Sequence, residues 1–268
     1  MIDLDAYFDR IGYAGPREPT LEVLRALQAL HPAAIPFENL DVLLGRGIDL
    51  APAEIDAKLI GARRGGYCFE QNSLFSRVLS ALGFELEGLL GRVVWMAPPD
   101  APTPPRTHMA LKVMVEGEAW LADVGFGGAV LTAPLRWMMD EAQPTPHEDY
   151  RLRDLGHEVL LETRLDDWTP VYRLGRDPAF PVDYELANWF TSAHKDSKFR
   201  KLLTVAVTRP EARYALLNNR LTVRPVGGPA ERRVLSVDEM EDALGGIFGL
   251  PVERDWRETL EWAAELGA

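Results

Sequence analysis

The chain has a single cysteine among 268 residues, and it stands in the segment RRGGYCFEQNSLF. Gly65 and Gly66 interrupt the structure before it, and the apolar stripe of Leu74, Phe75, Val78, Leu79 and Leu82 predicts a helix beginning at or near Cys68. Unpaired N–H groups and the helix dipole favour an anion at such a start, and Arg63 and Arg64 add positive charge. That is the setting a nucleophilic sulfur needs. The same segment would also suit a cysteine serving as a small apolar filler. At a helix start the sulfur is expected to be partly exposed.

A nucleophilic sulfur requires a base, and the histidines are His31, His108, His147, His157 and His194. His31 precedes Pro32 at a helix end, and His147 and His194 fall in the polar segments PTPHED and SAHKDS, expected to be solvated surface. His157 opens a candidate strand. His108 alone carries a geometric case, because THMALKVMV and EAWLADVG read as two strands joined at Glu116-Gly117, a natural two-residue hairpin turn. In that register His108 faces Gly125 and Ala110 faces Asp123, so His108 and Asp123 lie diagonally on one side of the sheet, roughly 7 to 8 Å apart at the backbone. A slip of one residue would separate them onto opposite faces. Cys68, His108 and Asp123 thus fit the roles of nucleophile, base and orienting carboxylate. A turn-starting Asp and an edge-filling His would read the same way. The VGFGG segment after Asp123 leaves backbone N–H groups uncovered, fit to approach an acyl group or a phosphate, although the order is wrong for a P-loop and a barrel corner would use the same glycines.

The elements that must position these residues follow from changes of period. Residues 1 to about 85 read as helical, with Thr20 placed to cap a helix carrying Leu21, Leu24 and Leu27, and Pro52 suited to a first helical turn. From about Phe84, runs such as LEGLLGRVVW, HMALKVMVE, HEVLLET and WTPVYRL carry the β-branched and aromatic content of an antiparallel sheet or barrel. Five prolines in the eight residues from Pro98 make a loop between the first two. LLTVAVT follows, then RYALL and RLTVRP around an Asn218-Asn219 turn, and helices over 237–244 and 254–266.

Composition narrows the function. With 29 basic and 41 acidic residues the net charge is −12, which disfavours nucleic acid and anionic lipid as partners. The longest stretches free of charged residues, Ala26 to Phe37 and Val124 to Leu135, are 12 residues long, too short to span a bilayer. The acidic, amphipathic MIDLDAYFDRIGY is unlike a signal peptide, and one cysteine allows no internal disulfide, so a cytoplasmic location is expected.

Beyond the three chemical residues, LDAYFDRIGY, IPFENLDV, RRGGYCFEQNSLF, GRVVW, THMALKV, WLADVGFGG and NWFTSAHKDSKF occur in an order that resembles the arylamine N-acetyltransferases. The resemblance implies an α+β fold with three parts: a helical bundle over 1–85 carrying the cysteine, an antiparallel β-barrel over 86–190 carrying the histidine and aspartate, and an α/β lid over 191–268. It implies a cysteine-protease-like Cys-His-Asp core in which acetyl-CoA acetylates Cys68 and an arylamine, arylhydrazine or related amine then takes the acetyl group, without any metal. By the same resemblance Phe37, Val94 and Phe126 line the acceptor pocket, and Thr107, Gly127, Ser197 and Phe199 lie near the coenzyme. Arg64, Glu70 and Asn72 are expected to hold the cysteine loop by charged hydrogen bonds. A transglutaminase-like or amidase-type enzyme would use the same triad with water or lysine as acceptor; IPFENL and DVGFGG favour the acetyltransferases. The oligomeric state, a homodimer included, is left open.

Overall fold

A computed structural model describes residues 2–98 and 100–267; Met1, Ala268 and Pro99 of the proline-rich loop lie outside the described residues. The N-terminal part is helical: α1 (Leu4–Ile11), α2 (Leu21–Ala34), the two-residue strand β1 (Phe37–Glu38), α3 (Leu40–Leu43), α4 (Pro52–Asp56), a π-helical turn over Ala57–Gly61, and α5 (Cys68–Ala81). Thr20 caps α2 by accepting the Val23 N–H, and α2 continues past Pro32 to Ala34. Leu74, Phe75, Val78 and Leu79 of α5 are fully buried, each contributing about 1.5–3 kcal/mol of burial.

Seven strands follow: β2 (Glu85–Val93), β3 (His108–Val115), β4 (Glu118–Ala122), β5 (Leu135–Arg136), β6 (Tyr150–Asp154), β7 (Glu158–Arg164) and β8 (Trp168–Gly175). They form one sheet in the order β5-β4-β3-β2-β8-β7-β6. Bridges from Met139 to Leu152 and from Gln143 to Tyr150 bring the β5 end back onto β6, so the sheet is a nearly closed barrel. Its interior is filled by Leu89, Ala110, Leu121, Tyr150, Leu152, Val159, Leu161, Tyr172 and Leu174. Strand β3 is buried on both sides, because its outward residues Met109, Leu111 and Val113 lie in the core shared with α5.

Helix α6 (Pro181–Ala193) leads to β9 (Thr204–Arg209), β10 (Ala212–Leu217), β11 (Arg220–Pro225) and β12 (Glu231–Val234), then α7 (Val237–Gly246) and α8 (Arg257–Leu266). The second sheet runs β1-β9-β10-β11-β12, with α7, α8 and the turn before α8 sharing its core through Met240, Leu244, Leu260 and Trp256. Its edge strand comes from the helical part of the chain, since Phe37 pairs with Ala206 and Glu38 with Val205. A two-residue strand has no period of its own, which is why the helical reading of residues 1–85 passes over it.

Candidate active site

The hairpin that carries His108 turns where the sequence expects it to. Leu111 pairs with Ala122 and Val115 with Glu118, while Glu116 and Gly117 take φ of 54° and 81°, the left-handed pair that a tight hairpin turn requires. His108 and Asp123 therefore share a face. The His108 Nε2 donates to Asp123 Oδ2 at 2.7 Å, and both side chains are buried. Asp123 is further fixed by the Gly125 N–H at 2.8 Å and by Asn72 Nδ2 at 2.9 Å, both on Oδ1. Asn72 is thus a support of the aspartate, and it also accepts the Val124 N–H and donates to the Met109 carbonyl. From behind, Gln28 Nε2 donates to the Asp123 carbonyl at 2.6 Å.

Cys68 is the first residue of α5, as the stripe after it indicates. It is not partly exposed, however: only 3% of it is accessible, because the glycine loop is pressed against it. A Cβ on Gly125 would stand 2.8 Å from Cys68 Cα, so only glycine fits there. The thiol's hydrogen bond goes to the Thr107 carbonyl at 3.5 Å, beside the imidazole of His108. Burial alone would push His108 down, but the Asp123 carboxylate and then the Cys68 sulfur outweigh it and raise its pKa to about 10. The partner shift is complementary, since burial would raise Asp123 and the charge of His108 instead lowers it.

The loop before Cys68 is held by a separate ionic cluster. Arg64 donates to Glu38 at 2.7 Å, to Asp41 and to Glu253; Glu70 accepts the Tyr67 N–H at 2.9 Å and pairs with Lys58 at 2.7 Å. Every charge in it meets an opposite charge, so it fixes geometry and offers nothing to a substrate.

Aromatic rings near these residues fall into two groups. Phe126 lies edge-on to His108 at 5.2 Å, 5.3 Å from Tyr172 and 6.3 Å from Trp95, while half-buried Val94 donates its N–H to Val171. Phe37 lies 5.9 Å from Phe199, which is 5.8 Å from Tyr67, and Gly127, at φ 80°, brings its backbone against the Phe37 ring. Thr107 gives its carbonyl to Cys68. Ser197 is buried with its hydroxyl already donated to Thr191 O and its oxygen accepting the Phe199 N–H, so it caps the turn that carries Phe199.

Residues 20–257 of this chain match the family model described as N-acetyltransferase. An arylamine N-acetyltransferase of Mycobacterium tuberculosis is 43% identical over 255 residues, covering 94% of this chain and 90% of that protein. The chain belongs to the arylamine N-acetyltransferase family. Among solved structures, the arylamine N-acetyltransferase from M. tuberculosis is similar with a TM-score of 0.93 at 43% identity, over 96% of this chain and 99% of that one. The Mycobacterium marinum arylamine N-acetyltransferase in complex with CoA is similar with a TM-score of 0.92 at 41% identity, over 98% and 99%. The α+β architecture is therefore the family's own.

Among the described residues of this acetyltransferase no group of three or more His, Cys, Asp and Glu is placed to hold a metal ion, and no helix is long and apolar enough to cross a membrane. A cleft of about 820 Å³ lies between α5, α6 and residues 46–52, and none of Cys68, His108 and Asp123 lines it. Sequence reasoning passed over Tyr172, whose ring lies 4.6 Å from that of His108, and Gln28. Tyr172 faces the barrel interior with Leu174, opposite Val93. Only knowledge that β8 pairs with β2 would have placed it there. His147 is likewise half-buried instead of solvated, its Nε2 donating to the Arg209 carbonyl across the two sheets.

Proposed function

We propose that this acetyltransferase moves the acetyl group of acetyl-CoA to the nitrogen of an arylamine or arylhydrazine by way of a thioester on Cys68. The observation that carries the reading is the buried His108, raised in pKa between Asp123 and Cys68 in a chain of this family. A protonated imidazole beside the sulfur is what a thiolate needs as partner, and Asp123 holds the ring in position. The sulfur attacks the acetyl carbon; as the tetrahedral intermediate collapses, the bond to the CoA sulfur breaks and His108 gives that sulfur its proton. The amine then attacks the acetyl-cysteine, its proton passes to His108, and the acetylated amine leaves while the Cys68 sulfur regains its electron pair.

The developing oxyanion requires donors. The N–H of Cys68 has no intrahelical acceptor, and among the described residues the N–H groups of Phe126 and Gly127 carry no hydrogen bond. Phe37, Val94 and Phe126 supply an apolar wall that favours an aromatic acceptor over water, and Thr107, Gly127 and Phe199 form the approach for the coenzyme, with Ser197 acting through the turn that holds Phe199. In this division of labour residues 1–85 supply the nucleophile, 86–190 the base and its carboxylate, and 191–268 the cover. The cytoplasm, where acetyl-CoA and a reduced thiol coexist, suits the reaction.

Initial rates over a matrix of acetyl-CoA and arylamine concentrations test the order of events. The reading predicts parallel double-reciprocal lines and slow acetyl-CoA hydrolysis in the absence of amine. Intersecting lines would place both substrates on the enzyme together, and rapid hydrolysis insensitive to amine would make the protein a hydrolase.

A further inference from the structure

The outer face of the barrel carries arginines close to the start of β3, the strand that opens on His108. Arg92 and Arg173 are directly paired across β2 and β8, and Arg92 follows Gly91, which pairs with His108 and accepts the Thr107 N–H. Arg106 stands one residue before Thr107, whose carbonyl receives the Cys68 thiol. Its guanidinium lies flat over Gly175, all three of its terminal atoms 3.3 Å from where a Cβ would stand, so the glycine provides its seat.

Two of these cations share one anion, and the third has none among the described residues. Glu158 pairs with Arg92 at 3.1 Å and with Arg173 at 3.7 Å, and Arg92 also donates to the Pro104 carbonyl. The Arg173 side chain makes no hydrogen bond among the described residues, its buried Nε reaching Glu158 only at the longer ion-pair distance. Arg106 is exposed and has neither a hydrogen bond nor a carboxylate partner among the described residues. Elsewhere the molecule is strongly acidic, with a net charge of −12. A polyanionic substrate is repelled by such a surface unless a local positive patch stands where it must dock.

We propose that Arg106 and Arg173, with Arg92 behind them, form the seat for the phosphate groups of the acyl-CoA donor, leaving the thioester arm to run past Thr107 to Cys68. This rests on the reading of acetyl-CoA as donor. Arg106 acts as a specificity residue for donors that carry a nucleotide, because a guanidinium offers paired N–H donors suited to phosphate oxygens.

The test compares two donors on the intact enzyme: acetyl-CoA, and N,S-diacetylcysteamine, a thioester with the tip of the arm and no phosphate. Arg106→Ala should raise the KM for acetyl-CoA about fivefold, and Arg106→Glu about tenfold or more, with Arg106→Lys falling between Ala and wild type. Turnover of N,S-diacetylcysteamine should stay within about twofold in each, and added salt should raise the acetyl-CoA KM of the wild type more than that of Arg106→Ala. Acetyl-3′-dephospho-CoA separates the 3′-phosphate from the pyrophosphate: if the Arg106→Ala penalty vanishes with it, Arg106 holds the former, and if it persists, the latter. An acetyl-CoA KM unchanged in both the Ala and Glu variants would overturn the proposal, as would equal losses with both donors. A wild-type enzyme that accepts neither donor would instead sink the acetyltransfer reading itself.

Discussion

Two histidines of this chain are equally deep and shifted in opposite directions. His31, in the helical part, accepts from the Tyr7 hydroxyl at Nδ1 and donates from Nε2 to Gln71 Oε1, at 2.9 and 2.6 Å. Both partners are neutral, burial dominates, and its pKa falls to about 4. His108, at the barrel mouth, stands between a carboxylate and a sulfur, and its pKa rises to about 10. Burial sets the cost of a charge, and the neighbours decide whether that cost is met. His31 is saturated and fills a core; His108 has one nitrogen committed to Asp123 and the rest of the ring beside the only thiol in the chain.

Removing that thiol has the largest expected effect. Cys68→Ala should abolish acetyl transfer while the melting temperature moves by only a few degrees, since one sulfur is lost from a tightly backed position. Appreciable transfer by this variant would mean that the amine attacks acetyl-CoA directly. Next, Asp123→Asn makes the barrel-mouth histidine resemble His31 by giving it a neutral partner. Activity should fall by about a thousandfold or more, with the His108 pKa dropping in an NMR titration. A loss confined to thermal stability would leave Asp123 a purely structural residue.

The converse change sharpens the comparison. Gln71→Glu gives His31 a carboxylate and should raise its pKa well above 4, at a stability cost of about 1–3 kcal/mol, because Gln71 Nε2 also donates to the carbonyls of Pro36 and Gly66. An unshifted His31 would refute the claim that neighbour charge decides. The smallest effect is the pH dependence of wild-type stability. His31 is depressed, so the unfolded chain binds its proton first, and stability should decline as pH falls from 6.5 toward 4. His108 is raised, so its contribution is complete below pH 6.5 and is lost as pH climbs through about 10. Chemical denaturation across that range should show both arms, the acid one diminished in Gln71→Glu.

Local pattern was enough to read the hairpin, because Glu116-Gly117 admits one register and that register puts His108 and Asp123 on one face. It was enough for the start of α5, whose stripe is apolar throughout. It failed for α6, which buries Tyr184, Ala187, Asn188 and Thr191 while Val182, Leu186 and Trp189 face outward with Glu185, so neither face is uniformly apolar. It failed too where distant segments meet: Gln28 reaches Asp123 and β1 joins β9 through contacts that no local period encodes. The burial of Cys68 belongs with these, since Gly125, in the loop after β4, packs against its backbone.

The most direct measurement is the mass of the intact protein after brief mixing with acetyl-CoA and no amine. A covalent role for Cys68 predicts a gain of one acetyl group, mapped to the Cys68 peptide, discharged when an arylamine is added and absent from Cys68→Ala. An unmodified protein that nonetheless acetylates arylamines at full rate, or an acetyl group on another residue, would contradict it.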